Sequence, residues 1–529
     1  MDTNEHERIR AKAWAGWTVA FRRGLLSLLL GWGLGGGGGV RADTGHVPIV
    51  FEGKAGEYPA RVVIRPPAVI PGLAQISVKV LEGDVSRVTV APILWHLGKD
   101  GAPRPDVAKP VREEPGLYAA DLWLMETGAH VVEVAFEGSR GAGKVLIPVP
   151  ALATRVLGLP RHLGAVLGVL GVVLIGLSAS IAGASVREAV LEPGSAPDRR
   201  RRRWAVGAMC GTTMAVLAAA VGGWRWWEFE AAVYRRHRLY RPLPIQVAVE
   251  EAAGARRLGV RLMENSARRL APLVPDHGRL MHLFLVQEDG GRAFAHLHPE
   301  RTERLSFRSD LPPLPAGRYA VYAQVTYETG FSETLTNTLV MPASGPAGGG
   351  VAGPDDAWTD AAAGAEGRHD LGDGYLMEWV GERTIRAGVP TRLRVRVKDR
   401  VSGQPAVLES YLGMTGHLVI RGRDADQFSH VHPGGTFSMA SQQVFEAREG
   451  TEGPIRVNFG GQDPTCRLPT PEEAAARWAA RTGDEGAGSL AFPFEFAESG
   501  SYRVWVQIRV GGRVRTGVFD LRVEAGKGS

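Results

Sequence analysis

The stretch Met281-His282-Leu283-Phe284-Leu285-Val286, followed by a turn and then by Phe294-Ala295-His296-Leu297-His298-Pro299, decides how this chain is read. The same pattern returns as Gly416-His417-Leu418-Val419-Ile420, a turn, and Phe428-Ser429-His430-Val431-His432-Pro433. Each copy is followed by a related strand, Gly317-Arg318-Tyr319-Ala320-Val321-Tyr322-Ala323-Gln324-Val325 in one and Gly500-Ser501-Tyr502-Arg503-Val504-Trp505-Val506-Gln507-Ile508 in the other. Duplication of one β module is the economical account.

A hairpin closed by Asp289-Gly290-Gly291 sets His282 opposite His298 and Phe284 opposite His296, and strand alternation puts all four on one face. A turn centred on Asp424-Ala425 sets His417 opposite His432 and Val419 opposite His430. Directly opposed side chains have Cβ atoms about 4.5 to 5.5 Å apart, close enough for three imidazoles to converge on one ion. Neutral nitrogen donors among apolar residues suit copper, with zinc as the alternative, better than calcium or magnesium. The candidate metal ligands are therefore His282, His296 and His298 in the first copy and His417, His430 and His432 in the second. Against this stands a plainer reading: histidines at a strand end can serve as hydrogen-bonding braces, and Pro299 and Pro433 can simply stop the strand. Met281, Met414 and Met439 offer thioethers for copper or, more ordinarily, fill the core.

Working outward, the residues after each hairpin define modules over 243–342 and 358–525, with a Gly/Pro/Ala-rich linker at 343–357. An earlier module over 43–155 carries alternating runs such as Ala74-Gln75-Ile76-Ser77-Val78-Lys79-Val80, broken by Pro66-Pro67, Pro71-Gly72 and Pro115-Gly116. It lacks the histidine pattern. In the last module, Thr470-Pro471-Glu472-Glu473 opens a short helix through Arg481, since threonine caps, proline fits the first turn and glutamate closes a capping box. The predicted fold is mainly β, with three Ig-like antiparallel β-sandwich modules and two transmembrane α-helices.

Those helices are read at 163–186 and 204–227, each near the ~20 apolar residues a bilayer requires. The basic loop between them, 187–203, holds Arg199 to Arg203, which supplies most of the net charge of +6. The positive-inside rule places this loop in the cytoplasm and both flanking regions outside. Topology thus accounts for the charge, and a nucleic-acid surface is not needed. Trp224, Trp226, Trp227, Tyr234 and Tyr240 resemble an aromatic belt at the outer interface. Residues 1–42 read as a signal peptide, or as an N-terminal anchor, with arginines before an apolar run. The expected location is the cell membrane with the bulk of the chain extracytoplasmic, periplasmic in a Gram-negative cell.

Two cysteines, Cys210 and Cys466, stand too far apart in character and position to suggest a disulfide framework or a cysteine zinc site. Gly138 to Val145 approaches a phosphate loop but has valine where a hydroxyl should hold magnesium, so it reads as a hairpin. Gly31 to Gly36 has dinucleotide-type glycine spacing without a surrounding βαβ unit. With no GxSxG, HExxH or kinase motif, a non-enzymatic protein is expected.

The His-Leu-Phe-Leu-Val and Phe-Ala-His-Leu-His-Pro-Glu segments, with the Gly-Arg-Tyr-Ala-Val-Tyr-Ala strand, resemble the YtkA-like extracytoplasmic β-sandwich family and related domains found near copper-handling and respiratory-oxidase assembly proteins. The resemblance covers the two histidine-bearing modules. It implies a sandwich fold and, as partners, the membrane and other envelope or respiratory-assembly proteins. Two functions follow as expectations: a membrane-anchored extracytoplasmic protein that binds or delivers copper through paired histidine-rich hairpins, or a metal-free envelope scaffold. A metal-dependent hydrolase is a third option, lacking a visible general base.

Overall fold

Strand Gly72–Val80 buries Ala74, Ile76, Val78 and Val80 and turns Leu73 and Gln75 outward, the period-two pattern of a half-buried strand. Patterns of this kind recur throughout the computed structural model, which describes residues 47–526 apart from 193, 253–254, 265–269, 344–352, 424–426, 450–469 and 482–484. The signal segment 1–42, most of the linker, the Asp424-Ala425 turn centre and Cys466 lie outside the described residues. The described residues are mainly β, in six sheets whose pairings among them are antiparallel except for the parallel pair Thr384–Arg386 with Arg513–Glu524.

The sheets pair into three two-layer units. In the first, a sheet running from Ile49–Ala55 to Lys109–Pro110 faces one built on Val85–Leu94, Gly128–Gly138 and Gly141–Ala151. Val62, Ile64, Ile76, Val90, Val134, Phe136 and Ile147 fill the space between. Gly138 and Gly141 close the last hairpin, so the near-phosphate-loop segment is a strand connection. The second unit centres on His282–Gln287, Ala293–Leu297 and Gly317–Tyr327. The third centres on His417–Gly422, Phe428–Val431 and Gly500–Val510 with the same pairing order. The short strand Ala357–Asp360, which the sequence reading divided between the linker and the last module, pairs with Ala293–Leu297 in the second unit.

Between the first and second units stand two helices, α1 (Arg161–Glu188) and α2 (Arg199–His237), both long and apolar enough to cross a membrane. Their apolar side chains are largely exposed, and small residues line their mutual contact: a Cβ on Gly183 would fall 2.6 Å from Met209 Cγ. The arginine run does not lie in the connection, as the sequence reading had it, but forms the first turns of α2. Asp198 caps that end, accepting from Arg201 N at 2.7 Å, and its negative charge suits the helix N-terminus. At ~1.5 Å per residue the 39 residues of α2 reach about 58 Å, well beyond a ~30 Å hydrocarbon core. Trp224, Trp226 and Trp227 are exposed. Tyr234 and Tyr240, expected in the same aromatic belt, instead hydrogen-bond to folded units: Tyr234 to Ile70 O, Tyr240 O–H to Glu333, and Tyr240 N–H to Ala153 O.

Two shorter helices follow, α3 (Met439–Arg448) and α4 (Pro471–Arg481). The α4 bounds and its Thr470–Glu473 capping box are as the sequence predicts, with Glu473 N–H on Thr470 Oγ1 at 3.2 Å and Thr470 N–H on Glu473 Oε2 at 2.9 Å. Helix α3 packs against the first unit, Gln442 donating to Leu146 O at 2.6 Å.

Candidate metal centre

Strand His282–Gln287 is buried on both sides, which a lone sandwich cannot achieve. Leu283 and Leu285 enter the core of their own unit, whereas Phe284 and Val286 join a second cluster with Val419, Phe428, Trp505 and Val518 of the third unit. The two histidine-bearing sheets therefore pack face to face. Their contacts are reciprocal: Tyr322 stacks on Phe428 at 3.9 Å between centroids, and its counterpart Trp505 stacks on Phe294 at 4.8 Å. Two such stacks contribute about 1 to 3 kcal/mol together beyond the area they bury. The copies are thus related by an approximate two-fold axis through this interface.

Register at the hairpins follows the sequence expectation, with Phe284 opposite His296 and Val419 opposite His430. The histidine faces of both hairpins meet at the interface. His282, His296 and His298 form one buried triad, and His417, His430 and His432 form another. In each, one ring nitrogen per residue lies within 4.8 Å of the other two, a geometry that can hold a metal ion. Met281, Met414 and Met439, the optional thioethers, are packed in the hydrophobic cores of the second and first units.

The hydrogen bonds assign the tautomers. His282 Nε2 lies 3.0 Å from the Asp276 carbonyl, so it carries the proton and leaves Nδ1 with a lone pair. His296 Nδ1 lies 2.8 Å from Gln507 Oε1 and donates to it, leaving a lone pair on Nε2. These two bare nitrogens face each other at 3.1 Å. The second triad repeats the arrangement: His417 Nε2 donates to Tyr411 O at 3.3 Å, and His430 Nδ1 donates to Gln324 Oε1 at 2.9 Å. His417 Nδ1 and His430 Nε2 are again left 3.1 Å apart. His298 Nδ1 donates to Asp356 Oδ1 at 3.0 Å, and its buried Nε2 has no hydrogen-bond partner; neither ring nitrogen of His432 has one.

Two lone pairs held at 3.1 Å inside a dry interface repel, and each bare buried acceptor costs about 1 to 3 kcal/mol. One cation between them removes both penalties. Nitrogens bound to a single ion at ~2.0 to 2.1 Å and a near-tetrahedral angle stand about 3.3 Å apart, close to the spacing present here. Ring N–H groups held by carbonyl, carboxamide and carboxylate oxygens form the outer shell that orients imidazole ligands in metal sites.

Burial lowers the pKa of every histidine in the two triads, to about 4 for His282 and about 3 for His432, and well below the usual value for the other four. The neutral, metal-competent form prevails. Burial pushes Asp276 toward the neutral form, but neighbouring histidines and the Ser438 hydroxyl outweigh it and hold the carboxyl below its ordinary value. That carboxylate also accepts from Ser438 Oγ at 2.8 Å and from Ala440 N at 3.1 Å, fixing the start of α3 beside the centre.

The first unit closes the assembly over the second hairpin. Glu52 N–H binds Gly434 O at 2.9 Å, and Thr436 N–H binds Val50 O at 3.0 Å. A Cβ on Gly435, whose φ is +148°, would fall 2.1 Å from Val50 O, so only glycine fits there. A cavity of about 130 Å³ among the three units reaches Gln324 and His430.

Sequence reasoning reached all six triad histidines but missed Asp276, Tyr411, Asp356, Gln324 and Gln507. The two glutamines had a visible signal, since they occupy equivalent places in the duplicated strand. Each stands opposite a histidine of its own unit, Gln324 by His282 and Gln507 by His417, yet hydrogen-bonds to a histidine of the other unit.

Among protein families, residues 369–460 match a domain of unknown function, DUF8832, a span that encloses His417, His430 and His432. No curated protein matches the chain. Solved structures with some similarity include trypsin-activated alpha-2-macroglobulin from Escherichia coli, at 10% identity and a TM-score of 0.17, covering 92% of this chain and 24% of that one. Another is the ICAM-5 D1-D4 ectodomain fragment, at 8% identity and a TM-score of 0.15, covering 89% of this chain and 78% of that one. This chain thus spans about a quarter of the macroglobulin's length. Likeness at that level carries no argument about function.

Proposed function

We propose that this chain is a membrane-anchored extracytoplasmic protein that holds a transition metal, copper before zinc, between two Ig-like histidine-bearing units, and that it binds or delivers the metal and catalyses no reaction. One observation carries the reading: in both triads, bare imidazole nitrogens face each other at 3.1 Å, each fixed by a hydrogen bond on the far side of its ring. An all-nitrogen donor set favours copper or zinc over calcium or magnesium. The two long apolar helices and the arginines at the start of α2 support membrane anchoring with the folded units outside the cytoplasm. The YtkA-like resemblance of the two copies supports partners among envelope or respiratory-assembly proteins.

Metal analysis of the detergent-purified full chain tests the reading. Near-stoichiometric Cu or Zn is expected after exposure and desalting, with loss of it in a variant carrying His296→Ala, His298→Ala, His430→Ala and His432→Ala. Equal retention by both proteins would remove the metal-binding function.

A metal-free scaffold is the second reading, favoured by the reciprocal aromatic stacks, which join the units without any ion. It requires a melting temperature indifferent to chelation, whereas an ion bound only by the folded state raises it.

A further inference from the structure

His277 belongs to neither triad, yet its side chain is fully buried and neither ring nitrogen makes a hydrogen bond of ordinary geometry. It occupies the turn Asp276-His277-Gly278-Arg279 of the second unit, whose counterpart in the third is Tyr411-Leu412-Gly413-Met414. Both turns use the left-handed region at the same place, with φ of 52° at His277 and 51° at Leu412, followed by glycines at 78° and 79°. A non-glycine residue is rarely held in that region without a reason. The fold therefore supplies the same strained perch twice, and only the second unit puts an imidazole on it.

The perch is aimed across the interface. The His277 ring centroid lies 4.7 Å from His432 and 5.3 Å from His417, both of the third unit, against 5.9 Å from His282 of its own. Within the third unit's triad the ring centroids are 4.5 to 5.2 Å apart. His277 thus packs against two members of that triad, His432 and His417, at close to the spacing found inside it, and a side-chain rotation toward His430 would complete a fourfold set. Its Nε2 also lies 3.5 Å from Asp276 Oδ1, so a carboxylate stands beside the ring.

We propose that His277 is the fourth ligand of the ion held by His417, His430 and His432, so that this ion is bound by both units. The class of ion is a first-row transition metal with nitrogen preference, as in the function proposed above, on which this inference rests. The equivalent position of the sister turn carries Leu412, an apolar side chain with no ligand atom. The centre is consequently asymmetric: four nitrogens close one site, as in structural sites, while three leave the other with an exchangeable position.

Release of Cu(II) or Zn(II) from the loaded full chain to a chromophoric chelator distinguishes the two sites. Two phases are expected, and His277→Leu, which places on the turn the residue its sister already carries, should accelerate the slow phase at least tenfold and leave the fast one alone. His277→Asn, a residue that tolerates left-handed backbone, should do the same. Identical release from wild type and a variant that remains folded in chelator overturns the inference while leaving metal binding intact. A wild-type chain that takes up no metal fails the underlying function instead. As a spectroscopic check, Co(II) in the tighter site should give visible bands that shift in His277→Leu, where a water replaces the fourth nitrogen, and superimposable spectra of wild type and variant overturn the proposal.

Discussion

Gln324 of the second unit accepts a hydrogen bond from His430 Nδ1 of the third at 2.9 Å, and Gln507 of the third returns the contact to His296 of the second at 2.8 Å. Each unit thereby sets the tautomer of a histidine it does not own. Gln324→Met or Gln507→Met should weaken the affinity of the adjoining triad about 10- to 100-fold. Competition against a chelator of known affinity measures this, and the apo protein should lose about 1 to 3 kcal/mol from the stranded ring N–H.

Trp505 is 1% exposed and stacks on Phe294 across the interface. Trp505→Ala should cost about 3 to 5 kcal/mol, the usual range for removing a buried aromatic. Chemical denaturation in chelator reads it, and a loss under 1 kcal/mol would mean that the two sheets are held apart in solution.

Acid should destabilise the apo protein. The ordinary imidazole pKa of 6.5 falls to about 4 at His282 and about 3 at His432 on folding, because burial disfavours the charged ring. Below pH ~6.5 the unfolded chain binds protons that the folded chain refuses, so stability is full above that pH. It declines as pH drops toward 4, and bound metal should leave over the same range, because protons compete for the same nitrogens. Denaturation midpoints at pH 7.5 and 5.0 in chelator check the sign; a midpoint that rises at pH 5.0 contradicts it.

The clasp between the first unit and the second hairpin depends on Gly435. Gly435→Ala sets a methyl group against Val50 O and should destabilise by more than about 1 kcal/mol. A thermal melt measures it, with Gly512→Ala, at an open turn, as the comparison.

Membrane orientation is testable at the connection between α1 and α2. Ser195→Cys, in a background lacking Cys210 and Cys466, should react with an impermeant maleimide only after the membrane is broken. Labelling of intact cells would invert the topology.

What was legible in the sequence was local. Strand alternation fixed both hairpin registers and therefore the six histidines, and a capping box fixed α4, because these depend on neighbours a few residues away. The face-to-face packing of the two copies was not legible, since Phe284, Tyr322, Phe428 and Trp505 would pack equally well inside a single sandwich. Asp356 fell in a segment read as linker, yet it holds His298. His277 carries no repeat signal, because its counterpart is Leu412. The arginine run was read as a loop from its charge, while Asp198 allows a helix to begin there.

X-ray absorption at the metal edge of the copper- or zinc-loaded full chain addresses the central claim most directly. The account predicts a first shell of nitrogen at ~2.0 to 2.1 Å with the outer-shell scattering of several imidazoles. A shell dominated by oxygen or sulfur, or a loaded protein that retains no metal, contradicts it.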